Sequence, residues 1–157
     1  MNRIYCLIGK FAETTQLIEV LLGEICEQSE IIKEFGRHTK MSQEDYNQVC
    51  SDAAFLKEKM ETMTFGQMIG IVYESKSLSH NEINELKVLL GKRNYFTHEY
   101  FKYMNYTGAT ESFILEEFEA IKADLVKLKQ MQSRLSLIKG SQTNQIDYLC
   151  TKNKIKK

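Results

Sequence analysis

The sequence predicts an all-α protein, an antiparallel four-helix bundle with one short extra helix and a C-terminal tail. Proline is absent from the 157 residues, so no position fixes φ or lacks a backbone donor inside a long helix. Apolar residues recur at intervals of three and four over long segments, the spacing of one buried helix face. The polar connections between these segments are short, which favours antiparallel neighbours.

The first predicted helix covers residues 4–35, and Gly36 suits the position just after a helix end. Ser42 with Asp45 three residues later predicts the N-cap of a second helix that continues to about residue 61. Thr64 opens a Gly-punctuated apolar segment over residues 64–73. Its β-branched content allows a strand, but a lone strand would have no partner, so a short helix is favoured.

The second half of the chain repeats this pattern of capped helices. Ser79 followed by Glu82 predicts a capping box for the helix that leads into residues 92–101. Gly108 lies in the stretch expected to end that helix, and Thr110 is expected to cap the next one.

The last predicted helix spans residues 111–138, and Gly140 is expected to stop it. Residues 141–157 are polar and end in lysines, which predicts a tail that docks weakly or remains mobile. The predicted organisation is therefore one helical domain, residues 1–140, followed by a tail, residues 141–157.

Composition limits the functions that the chain can have. Apolar residues make up 43% and charged residues 27% of the chain, and the formal net charge is zero. These values predict a globular protein without a global attraction to nucleic acid, so any RNA contact must come from a local patch. Apolar runs are too short for a membrane span, which favours a cytoplasmic location without a membrane partner.

The cysteines and histidines do not predict a metal site or a cofactor. No C-x-x-C pair occurs, and no histidine stands at the spacing that zinc sites use. The four cysteines are therefore expected to be reduced, buried thiols. These residues are Cys6, Cys26, Cys50 and Cys150.

One stretch of the third long helix concentrates the reactive side chains of the chain. Arg93, Asn94, His98 and Tyr100 stand together within eight residues. This spacing resembles the Arg-x4-His-x-Tyr signature of HEPN domains, small helical bundles that include ribonuclease toxins of bacterial toxin–antitoxin pairs. The resemblance is specific over about ten residues, and over residues 1–140 it is a shared helical layout. It implies a ribonuclease with paired motifs in a cleft between two protomers.

Helical geometry also favours a homodimer. On an ideal α-helix Arg93 shares an apolar stripe with Thr97 and Tyr100, whereas His98 lies about 140° from Arg93. One straight helix therefore does not aim the guanidinium and the imidazole at one atom. Two copies related by a two-fold axis would place two of each around one groove.

These groups are suited to metal-independent cleavage of RNA. His98 is the candidate acid and base, because imidazole exchanges protons near neutral pH. Arg93 would stabilise the charge of the transition state, and Asn94 would orient phosphate or imidazole. Attack by the ribose 2′-OH would restrict cleavage to RNA and leave a 2′,3′-cyclic phosphate and a 5′-OH.

Three neighbouring residues are expected to bind or to be modified. Lys92 and Lys102 flank the motif and are expected to hold the RNA backbone. Tyr100 is expected to position phosphate or to stack on a base. The family resemblance further implies that a partner nucleotidyltransferase antitoxin adenylylates this tyrosine.

Two other classes of function are compatible with the same residues. A non-catalytic module would use Arg93 and His98 to bind a nucleotide or RNA without cleaving it. A structural protein would use the third helix only to dimerise or to join a larger complex. Loss of RNA cleavage in a His98→Ala variant would separate the ribonuclease from both.

Overall fold

The computed structural model describes residues 2–100, 102 and 110–156, and within these ranges the fold is all-helical without a strand. The five α-helices are α1 (Asn2–Arg37), α2 (Gln43–Glu61), α3 (Phe65–Glu74), α4 (His80–Asn94) and α5 (Glu111–Asn153). A π-helical turn, Tyr95–Glu99, directly follows α4. The all-α prediction is confirmed, and α1, α2 and α3 begin and end within about two residues of the predicted bounds. The predicted helix end near Gly108 lies outside the described residues.

Four side-chain caps set where the helices begin. Ser42, Thr64 and Ser79 each form a complete capping box with the residue three positions later. The Thr110 hydroxyl accepts a hydrogen bond from the Phe113 amide at the start of α5. Each cap satisfies backbone donors that the first helical turn leaves free, so these predicted starts are confirmed.

Helix α1 lies at the centre of the fold and contacts the other four α-helices. Its apolar stripe, represented by Phe11, Ile18 and Leu22, is fully buried. These side chains pack with residues of α3, α4 and the first half of α5 in the larger core cluster. The position of α4, and hence of the motif at its end, is set by this packing.

The C-terminal segment is not a tail. Helix α5 continues through Gly140 to Asn153, so the predicted helix end at residue 138 is wrong, and so is the prediction of a weakly docked or mobile tail for the described residues 141–156. A glycine inside a helix costs only about 1 kcal/mol relative to alanine. Burial of Ile146 and Cys150 in a second core cluster outweighs that cost.

Polar contacts fasten the same segment to α1 and α2. The Gln142 amide donates to the Ser29 hydroxyl at 2.6 Å. The Gln43 amide makes two hydrogen bonds with the backbone of Lys156, at 2.8 and 2.9 Å. One continuous helix therefore crosses the predicted boundary between domain and tail.

No helix in the described part of the chain is both long enough and apolar enough to cross a membrane. All four cysteines are free. Cys26 and Cys150 are buried as predicted, but Cys6 is exposed and Cys50 is half-buried, so the prediction of four buried thiols is wrong for those two.

Candidate functional site

The motif falls on a break in helical geometry. In the π-turn Tyr95–Glu99 the Tyr100 amide donates to the Tyr95 carbonyl, five residues back. The Thr97 hydroxyl donates to the Arg93 carbonyl at 2.8 Å, which gives that carbonyl a side-chain donor as the turn widens. Single π-turns are rare and occur often at functional sites.

Aromatic packing accounts for the wide turn. The rings of Tyr95, Phe96 and Tyr100 contact one another edge-on, with centroids 5.4 to 6.2 Å apart. Phe96 also packs on Phe11 of α1 at 5.1 Å. Phe96 and Tyr100 are buried and Tyr95 is half-buried. The extra residue in the turn lets three large rings face the core together.

The same turn collects the polar residues on the other side. Arg93 is half-buried, whereas Asn94, Thr97 and His98 are exposed. One extra residue per turn subtracts most of a 100° step, so the angle between Arg93 and His98 falls from about 140° to less than about 70°. The expected separation of about 140° assumed a straight α-helix, and the wider turn reduces it.

The stripe expected to join Arg93, Thr97 and Tyr100 is also split by the π-turn. Tyr100 is only 2% exposed, while Thr97 faces solvent. Burial, together with the nearby Glu117 carboxylate, raises the pKa of the Tyr100 hydroxyl. The structure therefore separates the buried Tyr100 from the half-buried Arg93 and from the exposed Asn94 and His98. In this arrangement its ring is not accessible for stacking on a base or for accepting a nucleotide.

Asn94 and Glu19 are polar neighbours of the Arg93 guanidinium. Its Nη1 donates to the Asn94 amide oxygen at 3.3 Å, so the amide orients the guanidinium. On α1, Glu19 lies close enough that the Arg93 charge acts to lower the pKa of its carboxyl. Burial has the larger effect and leaves that pKa raised. The half-buried Arg93 guanidinium is a candidate donor to a phosphate, and the negative charge of Glu19 opposes an anion there.

The two predicted backbone-binding lysines are engaged differently. The Lys92 ammonium lies 3.0 Å from the Asp124 carboxylate, which ties α4 to α5. Lys102 lies 3.3 Å from Glu99, and both side chains are mostly exposed. An exposed pair contributes little free energy, so Lys102 can exchange its partner for a phosphate at small cost. Lys92 would have to leave the buried Asp124 carboxylate.

Sequence reasoning did not identify Glu19 as part of this site. Glu19 follows the fully buried Ile18 on α1 and is itself half-buried. A carboxyl beside the apolar stripe, one turn before Gly23, was the available signal. The carboxyl also lines a cavity of about 240 Å³ between α1, α2 and α3. A second, larger groove of about 970 Å³ lies between α4 and α5.

No group of three or more histidine, cysteine or acidic side chains that could hold a metal occurs among the described residues. No family model, curated protein or solved structure matches this chain. The resemblance to HEPN domains therefore stays a prediction from the sequence motif.

Proposed function

We propose that this chain is a metal-independent RNA endonuclease with a HEPN-like four-helix arrangement, a cytoplasmic protein that acts as a toxin or defence effector. The observation that supports the proposal most is the π-turn at residues 95–99, because a wider turn leaves a smaller rotation between Arg93 and His98 than an α-helix would. Asn94 adds an amide that orients the guanidinium. A basic group and a proton-transfer group on one accessible side are the minimum that 2′-OH attack requires.

In this mechanism the His98 imidazole takes the proton of the ribose 2′-OH. The 2′-oxygen attacks the phosphorus, and the bond to the 5′-oxygen breaks. That oxygen takes a proton, and the products are a 2′,3′-cyclic phosphate and a 5′-OH. Arg93 stabilises the added negative charge on the phosphate oxygens, with a charge-assisted hydrogen bond stronger than a neutral one.

A homodimer completes the reaction. One imidazole accepts the 2′-OH proton, and the imidazole of the second copy, already protonated, donates to the leaving oxygen. A two-fold axis near His98 supplies both roles from one sequence position. Because His98 and Asn94 are exposed in one protomer, they are available to such a partner.

A nucleotidyltransferase antitoxin is a further proposed partner, and the burial of Tyr100 sets a condition on it. With the ring 2% exposed, transfer of an adenylyl group requires the turn to open first. Modification should therefore be slow on the folded chain and faster when the π-turn is destabilised.

The decisive assay is cleavage of end-labelled RNA by the purified protein in EDTA. Wild-type protein should yield cyclic-phosphate ends, and His98→Ala should reduce the rate by about 100-fold or more. Arg93→Ala should cost on the order of 100-fold through lost charge stabilisation. His80→Ala is the matched control, because His80 is exposed at the far end of α4 and should retain full activity.

Two results would reject the ribonuclease. Undiminished cleavage by His98→Ala would remove the proposed base. If wild-type protein bound RNA saturably and in an Arg93-dependent way but left it uncleaved, the chain would instead be a non-catalytic binding module. Because both side chains are on the accessible side of the turn, circular dichroism should show wild-type folding in both variants.

A further inference from the structure

The cavity of about 240 Å³ lies where α1 meets the end of α2 and the start of α3. It is smaller than the roughly 300–1,000 Å³ of pockets that take drug-sized molecules. One planar ring system fits such a volume better than a whole nucleotide. Gly23 contributes no side chain to the wall, which leaves room beside the Lys57 stem.

The cavity and the candidate site share one residue. Glu19 lines the cavity and also lies within the electrostatic influence of Arg93 on α4. A nucleotide could thus place its phosphate beside Arg93 and its base in the cavity, with Glu19 between them. Glu19 thus connects the cavity to Arg93 electrostatically, whereas the lining of the groove between α4 and α5 includes neither residue.

The charges of the cavity select a base and not a phosphate. Glu19 and Glu61 provide two carboxylates against the single ammonium of Lys57. That ammonium lies 3.5 Å from Glu27, which neutralises part of its charge. A phosphate entering the cavity would meet net negative charge, so the phosphate belongs on the Arg93 side.

Hydrogen-bond chemistry narrows the choice of base. An ionised carboxylate has only acceptors and pairs best with two adjacent donors. Guanine presents N1–H and N2–H side by side, whereas adenine places an acceptor next to its amino group. The Gln16 amide, on the same helix as Glu19 and in the same cavity, supplies a donor for the guanine O6. Met63 and Met68 provide soft apolar walls that suit the faces of an aromatic ring.

We propose that this cavity binds the guanine base of an RNA nucleotide whose phosphate lies beside Arg93, with the Glu19 carboxylate accepting from N1–H and N2–H. The inference rests on the proposed ribonuclease function and gives it a base specificity. Enzymes that act on nucleic acids read an extruded base in this way, through its Watson–Crick edge.

Binding of guanosine 5′-monophosphate to the full-length protein, measured by calorimetry, tests the inference without any cleavage. Affinity should fall by about tenfold or more in Glu19→Gln, because an amide replaces one acceptor with a donor. Glu13→Gln is the matched control, since Glu13 is exposed on the same helix and does not line the cavity. Unchanged affinity in Glu19→Gln would overturn the proposal.

Nucleotide analogues test the same contact on wild-type protein, so the outcome does not depend on how a variant folds. Inosine 5′-monophosphate lacks N2–H and should bind about tenfold more weakly, and adenosine 5′-monophosphate more weakly still. Equal binding of the three nucleotides would overturn the proposal. A guanosine-containing oligonucleotide should compete with guanosine 5′-monophosphate, whereas failure to compete would show a site for free nucleotide only and overturn the RNA assignment.

Failure of this inference and failure of the ribonuclease are separable. His98→Ala should abolish cleavage but retain guanosine 5′-monophosphate binding. RNA cleavage without preference for guanosine would reject the guanine pocket but remain consistent with the ribonuclease. If the protein bound guanosine 5′-monophosphate and guanosine-containing RNA in a Glu19-dependent way but cleaved no RNA substrate, the guanine pocket would be supported and the ribonuclease proposal rejected.

Discussion

The π-turn makes an unusual prediction about deletions. If Tyr95–Glu99 contains one residue more than an α-helical turn needs, deleting Thr97 should restore α-helical geometry and leave the following residues in nearly the same orientation. His98 would then stand four residues after Arg93, which is about 40° away on an α-helix. The buried Tyr100 should keep its place in the core.

The free-energy cost of this deletion follows from the contacts that it removes. Thr97 is exposed, and its hydroxyl makes one hydrogen bond, to the Arg93 carbonyl. Such a bond contributes on the order of 1 kcal/mol. The free energy of unfolding should therefore change by less than about 1.5 kcal/mol, a melting shift below about 6 °C for a chain of this size.

Deletion of Lys87 is the matched control, because Lys87 is also exposed but lies inside α4. Losing one α-helical residue rotates everything that follows by about 100°. Leu89, Phe96 and Tyr100, at present 2–6% exposed, would turn out of the core. At about 2 kcal/mol for each side chain, the loss approaches the whole stability of a typical domain.

Denaturant unfolding monitored by circular dichroism compares the two deletions. Thr97→Ala and Lys87→Ala correct for the lost side chains, including the Lys87 ammonium 5.9 Å from the Tyr73 ring. The reasoning is refuted if deletion of Thr97 is as destabilising as deletion of Lys87. Under the proposed function, RNA cleavage should also survive the first deletion.

Three further predictions concern stability. Gly140→Ala should stabilise the protein by about 0.5–1 kcal/mol in denaturant unfolding, because Gly140 is inside α5 and a methyl group there meets nothing within 4 Å; destabilisation would contradict the continuous helix. Ile146→Ala should lower the free energy of unfolding by about 2–5 kcal/mol, since Ile146 is 5% exposed. The control Tyr148→Ala, at a residue that is 66% exposed, should lower it by less than about 0.5 kcal/mol. Equally small effects of both substitutions would support a mobile tail. Burial raises the pKa of the Cys26 thiol from 9.0 to about 11, so the stability that the neutral thiol contributes is complete below pH 9 and is lost as the pH rises to 11. In denaturant titrations across that window, the free energy of unfolding of wild type should fall by about 2–3 kcal/mol more than that of Cys26→Ala. An equal fall in both proteins would contradict the raised pKa.

The sequence predicted best where local chemistry decides the structure. Ser42, Thr64, Ser79 and Thr110 each satisfy the amides of their own first turn, and no distant contact is needed to recognise them. Prediction failed at Gly140 because its helix penalty is local, whereas the compensating burial of Ile146 against α1 and α2 is a tertiary effect. No local pattern distinguishes a glycine that ends a helix from one that a second core cluster holds inside it.

The sequence supplies the candidate residues of the site but not their geometry. Arg93, Asn94 and His98 were identified from their spacing, but the orientation assigned to them assumed a constant 100° per residue. The π-turn depends on ring packing between Phe96 and Phe11 of α1, and this tertiary contact cannot be read from the apolar periodicity of the sequence. Glu19 was missed for a similar reason, because only the fold brings α1 beside the end of α4.

A pH titration of Glu19 tests the phosphate site at Arg93 and the guanine site in the cavity separately. Its carboxyl pKa reflects burial, which raises it, against the charge of Arg93, which lowers it. Inorganic phosphate bound at Arg93 screens that charge and adds a second anion, so the pKa of Glu19 should rise and phosphate should bind more tightly as pH falls.

Guanosine, which carries no phosphate, should have the opposite effect. Its N–H donors stabilise the ionised carboxylate, so the pKa of Glu19 should fall and guanosine should bind more tightly as pH rises through that pKa. A pH titration of the Glu19 side-chain carbon by NMR, with exposed Glu13 as internal reference, measures both shifts. Guanosine that raises the pKa of Glu19, or leaves it unchanged, cannot be donating to that carboxylate. A phosphate effect that persists in Arg93→Ala would show that the anion binds elsewhere. Opposite shifts from the two ligands would place base and phosphate on the two sides of one carboxylate.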